Sequence, residues 1–174
     1  MTTGKYRFLT FPALEFPENC TPEQRATLKQ QRLADIKAGR IKPLRISETV
    51  SNLIMLGTNT GLNIVLQQLG GETAYPIAID SASIGTGATA PTDADTDLIA
   101  AVVEDIPKAT TTITTSTLVI EFFITNDELT DGDYKEFGLF CGTQIFARSI
   151  ITPTYTKASN EDTLVEYQIN ATNS

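Results

Sequence analysis

The pattern of apolar and polar positions changes near residue 72, and from there on it favours β-structure. Alternation of apolar and polar residues predicts four strands, over residues 113–126, 135–140, 144–151 and 162–170. A shorter strand is predicted over residues 75–79, and residues 97–104 are predicted to form a strand or a short helix. Strands at this spacing are typical of an antiparallel β-sandwich, here jelly-roll-like.

Residues 21–39 carry the clearest helix signal in the sequence. Thr21 is placed to cap the helix N-terminus, Pro22 suits the first helical position, and Gln24 completes a capping box. Gly39 supplies the stop, so a helix is predicted over about residues 22–38. Its apolar stripe is thin, and we therefore expect it to pack along the surface of a partner, or to be only loosely attached, rather than to pack in a core of its own.

A second helix is predicted just before the Gly-Gly pair at residues 70–71. Four apolar residues repeat at helical spacing and form a full stripe: Leu62, Val65, Leu66 and Leu69. The preceding residues 53–56 form either a buried strand or a helical turn. Two helices followed by a run of strands indicate an α+β fold with the sandwich as its body.

The first twenty residues combine large apolar side chains with two prolines. Pro12 and Pro17 argue against a continuous helix and against a central strand, so an extended N-terminal arm is predicted. The chain is thus divided into the arm with its capped helix, residues 1–46, and a helix plus β-sandwich body, residues 47–174. We expect the body to fold without residues 1–44.

Charge is unevenly distributed along the 174 residues, whose net charge is −8. The first fifty residues hold nine basic and five acidic side chains, net +4, and the remainder carries −12. A basic arm on an acidic body suggests that the arm docks on a partner or on the acidic face of a neighbouring copy; the alternative is a solvated segment without a partner. The candidate docking residues are Phe8, Phe11, Leu14, Phe16, Arg25, Arg32, Leu33, Ile36 and Arg40.

The residue composition excludes several kinds of catalytic and metal-binding sites. No histidine is present, which excludes Ser-His-Asp and Cys-His nucleophiles and histidine-ligated zinc. Cys20 and Cys141 match no metal-ligand spacing and are expected to be free thiols, the alternative being one long-range disulfide in an oxidising compartment. The acidic balance and the lack of a long apolar run argue against nucleic acid and membrane as partners. No cofactor is predicted, and the lack of a signal peptide indicates synthesis in the cytosol.

Two loop motifs could bind a ligand, and each has a simpler structural interpretation. The Gly-Thr-Gly at residues 85–87 lacks the lysine of a phosphate loop, so it is interpreted as a surface turn. Asp93, Asp95 and Asp97 have the spacing of the first half of a calcium loop but lack its glycine. They are interpreted as acids at the start of a helix.

Glu136 lies inside an otherwise apolar strand. A buried carboxylate there could act as a general acid. No second carboxylate or nucleophile is placed by sequence to assist it, so a structural role is favoured, in which Glu136 accepts backbone hydrogen bonds or pairs with Arg148. Arg148 is expected to point outward from its strand.

Two segments together resemble a pattern that recurs in structural proteins of tailed bacteriophages. The first extends from Ile84 to Leu98 and contains Gly-x-Gly, a small-residue turn with proline, and Asp-Thr-x-Leu. The second is Glu-Phe-Gly-Leu-Phe at residues 136–140, followed after a short turn by an apolar strand that ends in Ala-Arg at residues 147–148. The resemblance covers about residues 50–174 and leaves the arm outside it.

The resemblance implies a non-enzymatic virion component of the tail-fibre, collar or baseplate type, made in the host bacterial cytoplasm. It implies assembly with other virion proteins and a homo-oligomer, a trimer by analogy. Because the sequence ends directly after the last predicted strand, a neck, collar or baseplate adaptor or a fibre anchor is expected rather than a complete fibre. The fold-determining residues of the pattern are Gly85, Gly87, Glu136, Gly138 and Arg148.

Two alternatives stay open on the sequence. Within a phage particle, a head-decorating protein fits the same features. Outside a particle, the sandwich is a stand-alone carbohydrate-binding or adhesive module, although no tryptophan is present to stack on a sugar.

Overall fold

The fold is known from a computed structural model, which describes residues 2–49, 53–54, 57 and 60–171. These residues form two antiparallel five-stranded sheets and two helices, so the predicted α+β sandwich is confirmed. In chain order the elements are β1 (Thr2–Pro12), α1 (Pro22–Lys37), β2 (Arg45–Thr49), β3 (Leu53–Ile54), α2 (Gly61–Leu69), β4 (Ser81–Gly85), β5 (Ala101–Pro107), β6 (Thr110–Ile113), β7 (Thr117–Ile124), β8 (Gly132–Cys141), β9 (Gln144–Lys157) and β10 (Glu161–Ala171).

Each of the two sheets contains strands from both the first and the second half of the chain. The first sheet has the strand order β2-β1-β10-β7-β6, and the second has the order β3-β9-β8-β4-β5. The last three strands follow the predictions closely, because their alternating residues face one core and one covered or solvated surface. The strand predicted over residues 113–126 is present as β7, and the turn at residues 114–116 joins it to β6.

Two predictions in the middle of the chain need correction. Residues 75–79 contain no strand in the structure, and Pro76 has no amide hydrogen to donate to a sheet ladder. Residues 93–97 are an irregular loop and not a helix start. Residues 97–104 do contain the beginning of a strand, which is β5.

Aromatic side chains from both sheets meet in the main core. Tyr6 and Phe8 of β1 lie edge-on to Phe137 of β8, with ring centroids 5.2 and 5.7 Å away. Phe8 also stacks on Tyr155 of β9 at 4.9 Å. The first strand therefore supplies two of the rings that join the two layers.

The predicted N-terminal arm is wrong, because residues 2–12 are an inner strand of the first sheet. β1 pairs with β10 over its whole length and with β2 on its other side. Pro12 is its last residue, a position where a missing amide hydrogen costs little. Leu9 and Phe11 point away from the main core and are still buried, since they pack under α1. Burial on both faces hides the period-two pattern in the sequence.

α1 lies across the outer face of the first sheet and forms a second, smaller core there. The predicted capping box is present: Gln24 N–H donates to Thr21 Oγ1 over 3.3 Å, and Thr21 N–H donates to Gln24 Oε1 over 2.8 Å. Leu33 is the buried residue of the helix, and Ile36 packs at the edge of the same cluster. The helix thus covers its own sheet rather than the surface of another chain.

α2 is the second predicted helix, but its apolar stripe does not face the core. Ile64 is 1% exposed, and Val65 packs against the main core. The three leucines of the stripe are exposed instead: Leu62, Leu66 and Leu69. Apolar residues surround most of this helix, so their period alone does not identify the buried side.

Candidate functional site

Glu136 of β8 lies on the face of the second sheet that points away from the core, and it is fully buried there. Its carboxylate accepts three backbone N–H groups from the loop over residues 86–100. Oε1 accepts from Gly87 at 3.1 Å and from Ala100 at 2.7 Å, and Oε2 accepts from Ile99 at 3.1 Å. Glu136 therefore holds both ends of this loop against the sheet.

Arg148 of β9 is the partner of Glu136. Its Nε and Nη2 donate to Glu136 Oε2 over 3.0 and 2.8 Å. The other donors reach the loop: Nη1 donates to Asp95 Oδ2 over 2.7 Å, and Nη2 to the Thr89 carbonyl over 2.9 Å. The side chain is completely buried, although it was predicted only to point outward from its strand. Arg148 does leave the sheet on the outer face, but the 86–100 loop covers that face.

Three glycines allow the loop and the carboxylate to approach this closely. A Cβ at Gly87 would collide with the Glu136 carboxylate, and one at Gly85 would meet Glu136 Oε1 at 2.8 Å and collide with the Ala100 carbonyl. A Cβ at Gly138 would collide with Leu98 of the loop. Gly138 also lies opposite Arg148 in the β8–β9 register. Gly85 and Gly87 are thus required by close approach to the Ala100 backbone and to a fixed carboxylate, whereas at Gly138 the atom met is the flexible end of the Leu98 side chain.

Glu136 is ionised at neutral pH. Burial raises the pKa of its carboxyl, but hydrogen bonds from Ala100 N–H, Arg148 and Ile99 N–H outweigh burial and hold the pKa below its ordinary value. A general acid needs a raised pKa and access to substrate, and Glu136 has neither. The arrangement anchors a loop and does not present a reactive proton.

Asp95 is the one acid of the 93–97 cluster that joins this site. Its carboxylate pairs with Arg148, and it also accepts from Thr92 N–H at 3.1 Å and Thr92 Oγ1 at 2.7 Å. Burial raises the pKa of Asp95, but these hydrogen bonds and Arg148 reverse the shift and lower it. Asp97 accepts from Leu98 N–H at 2.7 Å. Among the described residues no group of three or more acids or cysteines is arranged to hold a metal ion.

A Gly87→Ala variant is expected to lose about 1–3 kcal/mol of unfolding free energy, because the added methyl group enters the space of a carboxylate fixed from several sides. Urea unfolding followed by circular dichroism measures this change. Gly70→Ala is the matched control, since a Cβ there meets the Gln67 and Leu66 carbonyls at an ordinary 3.4 Å. Equal stability of the two variants would contradict the close approach.

The residues expected to dock on a partner are largely engaged within the chain. Phe8, Phe11 and Leu33 are buried in the two cores. Phe16 is half-buried, with the Arg25 guanidinium 4.5 Å above its ring. Leu14, Arg32 and Ile36 are half-buried, and Arg40 is exposed and pairs with Asp35 at 2.5 Å. The structure does not bring these residues together as a free docking surface.

The basic charge of the N-terminal segment is neutralised by the acidic body of the same chain. Arg25 pairs with Asp127 at 2.5 Å and Lys29 with Glu128 at 2.6 Å, both in the turn after β7. Further ion pairs tie the segment to β7 and β10: Lys37–Glu121, Arg32–Asp162 and Arg45–Glu161. The charge asymmetry in the sequence therefore reflects complementarity within one molecule.

Asp162 of β10 joins three parts of the chain and was missed by the sequence analysis. Its carboxylate accepts from Leu14 N–H at 2.8 Å and from Asn126 N–H at 3.0 Å, and Arg32 lies 3.8 Å away. Burial raises the pKa of Asp162 despite these bonds. Nearby, Lys157 is buried and donates to Asn126 Oδ1 over 2.8 Å. Both residues occupy ordinary alternating positions in their strands, so the sequence pattern does not predict these contacts.

Both cysteines are free thiols, as expected. Burial, with Asp80 nearby, raises the pKa of Cys141 to about 12, so this thiol stays protonated at neutral pH.

Neither helix of the described residues is long and apolar enough to cross a membrane. Comparison with protein-family models, with curated proteins and with solved structures finds no match to this chain.

Proposed function

We propose that this chain is a non-enzymatic structural protein of a tailed-phage particle, an adaptor of the neck, collar or baseplate or an anchor for a fibre. The observation that carries the proposal is the contact between the two segments on which the resemblance rests. Gly87, Asp95 and Leu98 of the first segment contact Glu136, Gly138 and Arg148 of the second. In this chain the two segments of the pattern fasten one loop to one sheet.

The chemistry of this cluster supports a structural role. Every carboxylate oxygen of Glu136 and every nitrogen of Arg148 has a protein partner. A catalytic pair needs a group that is free to accept or give a proton at a substrate. Cys141 is buried with a raised pKa, and it is a poor nucleophile for the same reason.

The surface supports assembly with other copies or other virion proteins. Nine large apolar side chains of the described residues are exposed: Leu44, Ile46, Leu62, Leu66, Leu69, Ile77, Ile99, Val102 and Ile113. Three of them, Leu62, Leu66 and Leu69, lie on one helix, and a contiguous apolar patch on a surface indicates an interaction site. In this proposal the virion contacts are made by such side chains on the sandwich and not by an extended arm, since residues 2–12 belong to the first sheet.

Quantitative peptide mass spectrometry of density-banded particles tests the proposal. The amount of this chain is compared with that of the major capsid protein, and a protein of the uninfected host serves as the contamination control. A few copies per particle would support a neck, collar or baseplate position. Hundreds of copies would place the chain on the head surface instead. Absence from the particles would contradict a virion role, and glycan-array binding would then favour the adhesive module.

A further inference from the structure

α1 covers the second, smaller core but contributes little to it. Of the sixteen residues of the helix, Leu33 is the one that is buried, and Ile36 packs at the edge of the cluster. A surface helix normally buries a full apolar stripe, and α1 does not. The other buried members of this core all belong to the first sheet: Leu9, Phe11, Phe123 and Leu164.

An open crevice of about 250 Å³ runs along one side of the helix. It lies between α1 and residues 107–109, which connect β5 to β6, and Phe123 of the first sheet lines it as well. Protein interiors are close-packed and leave few voids larger than a water molecule, so α1 is not packed flush against the body on this side. The helix residues that line the crevice share one face: Ala26, Lys29, Gln30 and Leu33.

Four ion pairs join α1 to the rest of the chain, from its first turn to its last. Outside the Arg32–Asp162 pair and Glu121, the paired side chains are 22–48% exposed, so water and salt ions reach them. Salt weakens such pairs, because the Debye length falls from about 10 Å at 0.1 M to about 3 Å at 1 M. The four pairs are Arg25–Asp127, Lys29–Glu128, Arg32–Asp162 and Lys37–Glu121.

α1 is the connection between two strands that pair directly with each other. It is joined to β1 by residues 13–21 and to β2 by residues 38–44. Its end caps are local: Thr21 caps the N-terminus, and at the other end Ala38 N–H donates to the Ala34 carbonyl over 2.9 Å. Lifting the helix from the sheet therefore breaks neither its own caps nor the hydrogen bonds between β1 and β2.

We propose that α1 is a lid clamped by its ion pairs, which lifts from the first sheet at high salt while both sheets stay folded. Segments with few buried apolar side chains are those that open locally at the smallest free energy. Each pair alone contributes little, but four pairs act on one helix, so its opening depends on ionic strength. Opening uncovers the apolar side chains of the sheet beneath the helix. This inference goes beyond the proposed function and does not depend on it.

Hydrogen exchange of the full wild-type chain, followed by mass spectrometry at about 0.1 M and about 1 M NaCl, tests the lid. The amides of α1 are expected to exchange at least about threefold faster at the higher salt concentration. The amides of β10 and α2 are internal controls expected to change little, since α2 contains no charged residue. Unchanged exchange in α1 would overturn the proposal. So would equal acceleration in α2, or exchange of α1 as slow as that of β10, which would mean that the helix opens only on global unfolding.

The double variant Arg25→Gln/Lys29→Gln tests the clamp itself. Its former partners are 48% and 45% exposed, so no buried charge is left unpaired, and thermal unfolding should show a folded sandwich. At about 0.1 M NaCl its α1 amides are expected to exchange at least about threefold faster than those of the wild type, with a smaller further effect of salt. Arg40→Gln is the matched control, because Arg40 pairs with Asp35 of the helix itself and does not join α1 to the body. Equal acceleration in this control, or none in the double variant, would contradict the clamp.

Discussion

Deletion of residues 1–12 is expected to leave a chain that does not fold. The deletion removes β1, which lies between β2 and β10, and so exposes two rows of backbone groups that the sheet had paired. It also removes Tyr6 and Phe8 from the main core. Circular dichroism and urea unfolding measure the result: loss of the β signal and of a cooperative transition.

The buried aromatic side chains account for most of the expected effect. Truncation of one buried phenylalanine to alanine costs about 3–5 kcal/mol, whereas a domain of this size has about 5–15 kcal/mol in total. Phe8 and Phe11 are both almost completely buried. Their combined loss of about 6–10 kcal/mol is comparable to the whole of that stability, and the unpaired backbone groups of the sheet add to it.

A pair of point variants separates a core strand from a dispensable arm. Phe8→Ala is expected to cost about 3–5 kcal/mol of unfolding free energy. Phe16→Ala is the control, since Phe16 lies beyond β1, is half-buried and is contacted by Arg25. Its loss is expected to cost less than half as much. A truncated chain that still unfolds cooperatively, as the sequence pattern predicts, would contradict the role of β1.

The wrong prediction for β1 has a physical cause. Lys5 to Phe8 alternate polar and apolar residues, but Leu9 and Phe11 are apolar on the face that Lys5 and Arg7 begin, so the period of two is lost after Phe8. The prolines then favoured an arm, although Pro12 only ends the strand. What covers the second face is α1, and that is a tertiary contact.

For α2 the element was predicted correctly, but its buried side was not. The spacing of its leucines correctly predicted a helix, because spacing is a local property. The buried side of the helix is decided by the contacts of Ile64 and Val65 with the core. The leucines have the more regular spacing in the sequence, but Leu66 and Leu69 are exposed. Local pattern therefore predicted the element and tertiary packing decided its orientation.

Glu136 was predictable because its chemistry allows few outcomes. A carboxylate inside an apolar strand must find donors or a cation, and Arg148 lies near it in the facing strand. The contribution of Asp95, and of the N–H groups at residues 99–100, was not predictable, since it depends on the path of a loop. The sequence therefore predicted the pair of Glu136 and Arg148 but not the loop that covers this pair.

Glu136→Gln is expected to lose about 3–5 kcal/mol of unfolding free energy. The amide keeps the volume of the carboxylate but removes the charge that faces Arg148. It also replaces one acceptor by an NH₂ group, which points at a donor that the carboxylate oxygen had satisfied. Chemical denaturation measures the loss, and Glu48→Gln, in an exposed pair with Lys5, is the control expected to show no measurable change.

The double variant Glu136→Leu/Arg148→Met distinguishes charge pairing from packing. If the pair acts as a unit, the double variant loses less than the sum of its two single variants, with a coupling energy of about 0.5–3 kcal/mol. The loop supplies a second readout: in Glu136→Gln the amides of Gly87, Ile99 and Ala100 are expected to exchange with solvent faster than those of β8. If Glu136 is a structural anchor of the loop, the pair shows this coupling energy and the three loop amides exchange faster. Unchanged exchange at these three amides, in a variant that is nonetheless destabilised, would show that the carboxylate stabilises the sheet but does not hold the loop.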